Sequence, residues 1–311
     1  MAFDVSTLTN YVNQSSTDLL VAAQFENKTA ALAGLNIQYG VKSAAALQLL
    51  SFDAIPQAND SGCGFNASGD TTITQKTITT KGVKFDGTLC PKTLEAKWTQ
   101  MLLSKGQNYT ESAIPAAIFN EMTKSIAKRL EIMDWQGDTT LVSSYLNRYD
   151  GLIKTINAAT PVSATASTYN ATNARAIVKN IISNIPSALK GNPDVKIFMG
   201  YDAAEIYRQA LMDANFYHVA AGADMEALNA EGSVHQIIPV HGLDGLYSAS
   251  GQKCIYAFNP ANVVLGCDML NEDEKIDVWF SPDNQDVRHT CRFKRGWAVA
   301  YGSECVQYAN S

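Results

Sequence analysis

Among the side chains of this sequence, the four histidines His218, His235, His241 and His289 are the first candidates for acid–base or metal chemistry. Only His235 and His241 lie close together, on either side of Ile237-Ile238-Pro239-Val240. A metal held there would need a carboxylate nearby, and Asp244 is the available one. Surface or half-buried histidines are commoner than ligands, so that is the reading preferred for this pair, and no metal is expected. The six cysteines, Cys63, Cys90, Cys254, Cys267, Cys291 and Cys305, contain no CxxC pair. Scattered in this way they are expected as buried, reduced thiols that pack like small hydrophobes. Cys63 and Cys90 flank a hairpin and could meet at its base, but a bridge there is not the expectation. Asp268, Glu272, Asp273, Glu274 and Asp277 lack the spaced oxygens and central glycine of a calcium loop, so a solvated loop is expected. Gly242-Leu243-Asp244-Gly245 reads as turn chemistry and not as a phosphate cradle. The sequence has no phosphate loop, no dinucleotide fingerprint, no HExxH and no GxSxG. No nucleophile, base and orienting group can be assembled from it, so neither an enzyme nor a cofactor is expected.

The bulk composition turns attention from chemistry to surfaces. The chain has 311 residues, of which 46% are hydrophobic and only 17% charged. A typical soluble domain has about 25% charged residues. Ser, Thr, Asn and Ala fill the gap, which suits a chain that buries much of itself against neighbours. The net charge is −6, and the longest basic stretch is Arg292-Phe293-Lys294-Arg295. Tight binding of nucleic acid rests on many phosphate-neutralising cations, so any enclosed nucleic acid would be held weakly and without specificity. The opening MAFDVSTLTNYVNQSS has no charged n-region and no apolar h-region, and no apolar run reaches membrane-spanning length. Cytosolic synthesis without a membrane partner is therefore expected. The Asn-x-Ser/Thr triplets at Asn27, Asn66 and Asn170 read as chance in an Asn/Thr-rich chain.

The elements follow from periodicity. Residues 1 to about 60 read as a loosely organised polar arm, with a short apolar stretch from Ala44 to Phe52 and a turn cluster at 59–64. Thr71–Thr80 is rich in β-branched residues, and Val83–Cys90 alternates apolar with polar. With Lys81-Gly82 as the turn, the two runs predict a long hairpin that has little to bury at home and needs a partner surface. Thr93–Gly106 predicts a short helix. A longer one is expected from Ser112 to Trp135, with Ile114, Ile118, Met122, Ile126, Leu130 and Met133 on one apolar stripe. Glu121, Lys124, Lys128, Arg129 and Glu131 lie off that stripe. Helices are also expected over Thr168–Lys190 and Tyr201–Ala214, with a short buried strand at Val195–Gly200 between them. Strands are expected at 235–239, 254–258, 263–267, 275–280, 287–294 and 297–301. The fold class is α+β.

In this order the parts resemble the major capsid proteins of tailed bacteriophages, the HK97-like or Johnson fold. Ile126-Ala127-Lys128-Arg129-Leu130-Glu131 through Gly137-Asp138 resembles the end of that family's spine helix, and Tyr149-Asp150-Gly151-Leu152-Ile153 the segment after it. Lys196-Ile197-Phe198-Met199 with the following helix resembles its strand–helix unit. Ile238–Leu243 and Asn262–Asp268 resemble its later A-domain strands, and Arg292–Tyr308 its closing P-domain strands. The likeness covers roughly residues 60–308. It implies an N-terminal arm over 1–65, an extended E-loop hairpin over 66–92 and a P-domain with the spine helix over 93–167. An A-domain over 168–265 and closing P-domain strands over 266–311 complete it.

By the same resemblance the chain is a structural subunit that self-assembles into hexamers and pentamers of an icosahedral shell around a phage double-stranded DNA genome. It would be made and assembled in the host cytoplasm and end in the virion capsid. Partners would be further copies, a portal and scaffolding or decoration proteins. The short polar arm implies a separate scaffolding protein or none. Lys81, Lys84 and Phe85 near the hairpin tip are expected to touch an adjacent subunit, and Arg129 and Glu131 to pair across an interface. Lys81 and Lys84, with Asn259, Asn262 and Asn284, have the residue types of the cross-link some family members form, but cross-linking is not expected. Two other readings compete: an encapsulin-like nanocompartment shell around a cargo enzyme, and an α+β hydrolase or carbohydrate-binding protein.

Overall fold

The computed structural model describes residues 27–56, 69–90, 113–142, 144–214, 229–248, 250–268 and 275–311. The helix expected at 93–106, along with Cys63, His218, Glu272, Asp273 and Glu274, lies outside these residues.

Two hydrophobic cores are built around two sheets. In the first, strands β1 (Asn36–Gln38), β9 (Val263–Cys267), β11 (Asp286–Val299) and β10 (Lys275–Ser281) form a sheet in the order β1-β9-β11-β10. Strand β4 (Lys81–Leu89) also pairs with β11. Helix α1 (Ala113–Gln136) and the short helix α2 (Leu152–Ala158) cover this sheet. The expected stripe on α1 is buried at Ile126, Leu130 and Met133 and half-buried at Met122, and Lys124, Lys128 and Arg129 face outward. The second sheet has the order β5-β12-β8-β6-β7, formed by Val162–Ser163, Val306–Ala309, Lys253–Phe258, Lys196–Met199 and Ile237–Pro239. Helices α3 (Ala174–Ser183) and α4 (Tyr201–Asp213) pack on it. Strand β8 joins the two cores through its period of two: Tyr256 and Phe258 enter the first, Ile255 and Ala257 the second.

The hairpin expected between 71–80 and 83–90 does not form. Strand β3 (Thr71–Thr79) pairs antiparallel with β2 (Ala44–Phe52), from Ala44 opposite Thr79 to Phe52 opposite Thr71. After Thr80 the chain runs on into β4, which pairs antiparallel with β11 from Lys81 opposite Arg295 to Leu89 opposite Val287. Lys81-Gly82 lacks the positive-φ pair that tight two-residue hairpins require. The apolar face of β4 instead finds a core partner, with Phe85 stacked on Phe293 at 5.9 Å between ring centroids. The segment read as a loose arm thus contains two strands, β1 and β2.

Smaller differences have local causes. The helix expected over 168–190 is shorter, because Asn170 Oδ1 accepts from the Asn173 amide in a turn before α3 and Pro186 lies just beyond its end. The two strands expected at 287–294 and 297–301 are one 14-residue strand, β11. Its Gly296 allows the backbone at Thr79 and Thr80 to cross so closely that an added Cβ would collide with the Thr79 carbonyl. Asp268 is not solvated: it is fully buried, and Lys294 Nζ reaches its Oδ2 at 3.1 Å. Cys254, Cys267, Cys291 and Cys305 are buried, as expected, but Cys90 at the end of β4 is exposed. Burial pushes the Cys254 and Cys305 thiols up to about 12.

Candidate functional site

The β2–β3 hairpin is seated only at its root. Ala45 and Leu47 pack against a small core of Val41, Ile78, Val264 and Ala298. Alternation along β2 turns the other side chains outward, and beyond Leu49 both faces are open. Thr80, at the root, donates its hydroxyl to the Val41 carbonyl at 2.9 Å and its amide to the Ser43 carbonyl at 2.9 Å. Toward the far end Leu50 is 63% exposed, Phe52 71% and Ile73 71%. Leu50 lies directly opposite Ile73 in the register, and Phe52 two residues on, so the three share one face. Ile55 beyond them is also exposed. An outward cluster of large apolar side chains on a two-stranded arm is not a stable end state in water. Exposed apolar clusters of this kind are uncommon on the surface of a monomeric soluble protein. A second exposed apolar pair, Trp279 and Phe280, sits on β10 at the border of the first sheet.

The residues expected at contacts fall in three places. Lys81, Lys84 and Phe85 are on β4 within the body and not at a hairpin tip. Lys84 Nζ is paired with Asp86 Oδ2 at 2.5 Å, and this contact, with a hydrogen bond from Thr290, holds the Asp86 carboxyl below the usual range. Arg129 is exposed on α1, its guanidinium 5.3 Å from the centroid of the Tyr145 ring. Glu131 does not face outward: it is 4% exposed and accepts from the Thr29 amide at 3.1 Å and the Thr29 hydroxyl at 2.6 Å. It turns inward although it lies off the apolar stripe, because residues 27–30 supply hydrogen-bond donors on that side of the helix.

His235 and His241 do not share a site. His235 is buried, with Nδ1 3.2 Å from the Val195 carbonyl. His241 Nδ1 lies 2.7 Å from Asp244 Oδ2, and its ring stacks on Tyr201 at 4.3 Å. Asp244 Oδ1 accepts from the Tyr201 amide at 2.7 Å, so it serves the first turn of α4, where orphan amides need acceptors. Among the described residues no group of His, Cys, Asp and Glu is placed to hold a metal. Gly242–Gly245 is the expected turn, with Gly245 at φ +77.

The feature that sequence reasoning missed is a buried polar network beneath α1. Asp134 and Arg295 are both fully buried and form a two-pronged pair, Nε to Oδ1 at 2.8 Å and Nη2 to Oδ2 at 2.7 Å. Trp297 Nε1 and the Tyr149 hydroxyl donate to Asp134 Oδ1 at 2.8 and 2.7 Å, and Asn27 Nδ2 donates to Oδ2 at 2.7 Å. Burial works against the charge on Arg295, yet the facing Asp134 carries its pKa above the ordinary value. Burial first, then the nearby Asp134, pushes the Tyr149 phenol well up, and burial likewise raises Glu131. The network ties the 27–30 segment, α1, the loop before α2 and β11 into one unit. Its sequence signal is only an Asp three residues after an Arg-Leu-Glu run and an Arg far downstream, which no spacing rule connects.

No protein-family model matches the chain, and no curated protein does. Solved structures do match. A chain of the satellite phage P4 procapsid including size determination (Sid) protein aligns with TM-score 0.62 and 13% identity, over 94% of this chain and 90% of that one. A chain from the capsid of an empty GTA particle aligns with TM-score 0.60 and 11% identity, over 89% and 88%. A chain from the capsid of Myoviridae phage XM1 aligns with TM-score 0.54 and 11% identity, over 89% and 90%. At such identities the likeness is one of fold, and it spans nearly the whole of both chains. The mixed α+β architecture of this protein is therefore the architecture found in phage capsids.

Proposed function

We propose that this chain is a major capsid protein: a structural, non-catalytic subunit that assembles with copies of itself into the hexamers and pentamers of an icosahedral phage shell. The β2–β3 hairpin takes the part of the extended E-loop, in place of residues 66–92. The first core, with α1 as its spine helix, is the P-domain, and the second core is the A-domain. The observation that carries the proposal is the projecting hairpin with Leu50, Phe52 and Ile73 on one open face, which a neighbouring copy would cover. A low charge content lowers the cost of desolvating many such contacts. The net charge of −6 suits a shell that encloses double-stranded DNA without gripping it. No helix among the described residues is long and apolar enough to cross a membrane. Assembly in the host cytoplasm, a portal, and scaffolding or decoration proteins belong to the same proposal.

The test is to replace the hairpin segment 50–73 with a short Gly-Ser turn. A folded subunit that no longer forms rings or shells is the expected outcome. Normal shells from the shortened chain would remove the hairpin from its assigned role.

A further inference from the structure

Residues 27–30 cross α1 as a strap, and two of their four side chains are polar yet buried: Asn27 is 4% exposed and Thr29 1%. Thr29 sits in a directed chain of hydrogen bonds. Its hydroxyl accepts from Trp135 Nε1 at 2.8 Å, so its single hydrogen goes to Glu131 Oε1 at 2.6 Å. Its amide donates to Glu131 Oε2 at 3.1 Å. Asn27 donates to Asp134 Oδ2 at 2.7 Å while its own Oδ1 closes a turn with the Ala30 amide at 2.8 Å. Lys28 reaches across to the other core, with Nζ 3.2 Å from the Tyr201 hydroxyl.

Beyond Ala30 the attachment changes character. The next fully buried residue is Val41, and Leu32 is only partly buried against the first core. Gly34 between them has φ +86 with open space around it, a conformation that glycine adopts without steric cost. Gly34 thus separates the strap from β1, between Leu32 and Leu35, which are both partly buried against the first core.

We infer that Asn27–Ala30 is a latch that releases from α1 as a unit, turning at Gly34, while β1 and the packing of α1 on β11 stay formed. The hold on Asn27 and Thr29 is made by hydrogen bonds, which water replaces on release, and the apolar surface that opening uncovers on the strap side is that of Ala30 and the partly buried Leu32. Asp134 keeps Arg295, Trp297 and Tyr149 after release and is not left unsatisfied. Opening hydrates the Glu131 carboxylate and frees Trp135 Nε1 from Thr29, while the indole ring stays packed on Phe198, Tyr256 and Phe258. This property belongs to the single subunit and does not depend on shell formation.

Native-state hydrogen exchange read by mass spectrometry on the purified full chain tests it. Peptides covering 27–33 should exchange through an opening that leaves 120–136 and 287–299 protected. Thr29→Val removes the central hydroxyl and should speed strap exchange by at least ~10-fold, with the other two regions within about threefold of wild type. Thr29→Ser keeps the hydroxyl and should stay within about threefold. If Thr29→Val does not fold, Lys28→Ala decides the matter: it leaves the buried chain intact, drops the Tyr201 contact and should still speed strap exchange selectively. Strap exchange that coincides with that of α1 in every folded variant, or a Thr29→Val rate equal to wild type, would overturn the latch.

Discussion

Replacing Leu50, Phe52 and Ile73 together, as Leu50→Ser, Phe52→Ser and Ile73→Thr, should weaken assembly without harming the subunit. Fully burying one such side chain is worth about 1.5–3 kcal/mol. With exposures of 63%, 71% and 71%, roughly two-thirds of that remains to be gained at each position when a neighbour covers the hairpin. The sum is roughly 3–6 kcal/mol before the costs of ordering the arm and desolvating its polar neighbours, which take about half. A net loss of about 1.5–3 kcal/mol corresponds to a rise of roughly 10- to 150-fold in the concentration at which assembly begins. Light scattering against concentration, followed by sedimentation of the products, reads this directly. The folded subunit should melt within a few degrees of wild type, because the side chains removed are already exposed. Assembly at the wild-type concentration would refute the assignment of the hairpin face. So would a collapse in subunit stability, since the three side chains would then be packed at home.

Three further perturbations address the body that holds the hairpin. Asp134→Asn leaves Arg295 buried against a neutral group and should cost about 3–5 kcal/mol in chemical denaturation, the usual penalty for breaking a buried pair. Gly296→Ala drives a methyl group into the Thr79 carbonyl where β3 crosses β11, and should lower the melting temperature and loosen the hairpin root, seen as faster exchange at 76–82. The loop 138–150 should respond to acid. The hydrogen bond from Lys154, with those from Thr140, holds Asp138 down at about 2, and Asp150 is also depressed because Lys154 and Thr139 outweigh its burial. Groups with depressed pKa values stabilise the fold above their unfolded range and lose that contribution as pH falls through the folded value. Protection of the loop should therefore hold at pH 5 and fall between about pH 4 and 2, and Lys154→Met should weaken that pH dependence, with the Thr140 and Thr139 hydrogen bonds sustaining the remainder.

The α+β class, the long helix with its buried Ile126, Leu130 and Met133, and the strand–helix unit at 196–213 were legible because each rests on local periodicity. The turn at 242–245 was legible through its glycines. Strand partners were not. The run Thr71–Thr79 announces a strand but not its mate, and the mate, AAALQLLSF, carries no β-branched residue and reads as an indifferent apolar stretch. The two strands flanking Lys81-Gly82 were close in sequence, yet β4 reaches a partner two hundred residues away on β11 because its apolar face matches that core. Contact positions taken from the wrong hairpin, Lys81, Lys84 and Phe85, moved with it. Glu131 and Asp134 were hidden for a different reason: a carboxylate on a helix flank looks solvated until donors such as Thr29 and Arg295 are brought to it by the tertiary fold.

The most direct measurement is electron microscopy in negative stain of the chain expressed alone and with its neighbouring genes. Closed shells, or rings of five and six subunits, are expected, with particle diameter and nucleic-acid content separating a virus from a cargo compartment. A clean monomer under both conditions would contradict the capsid assignment.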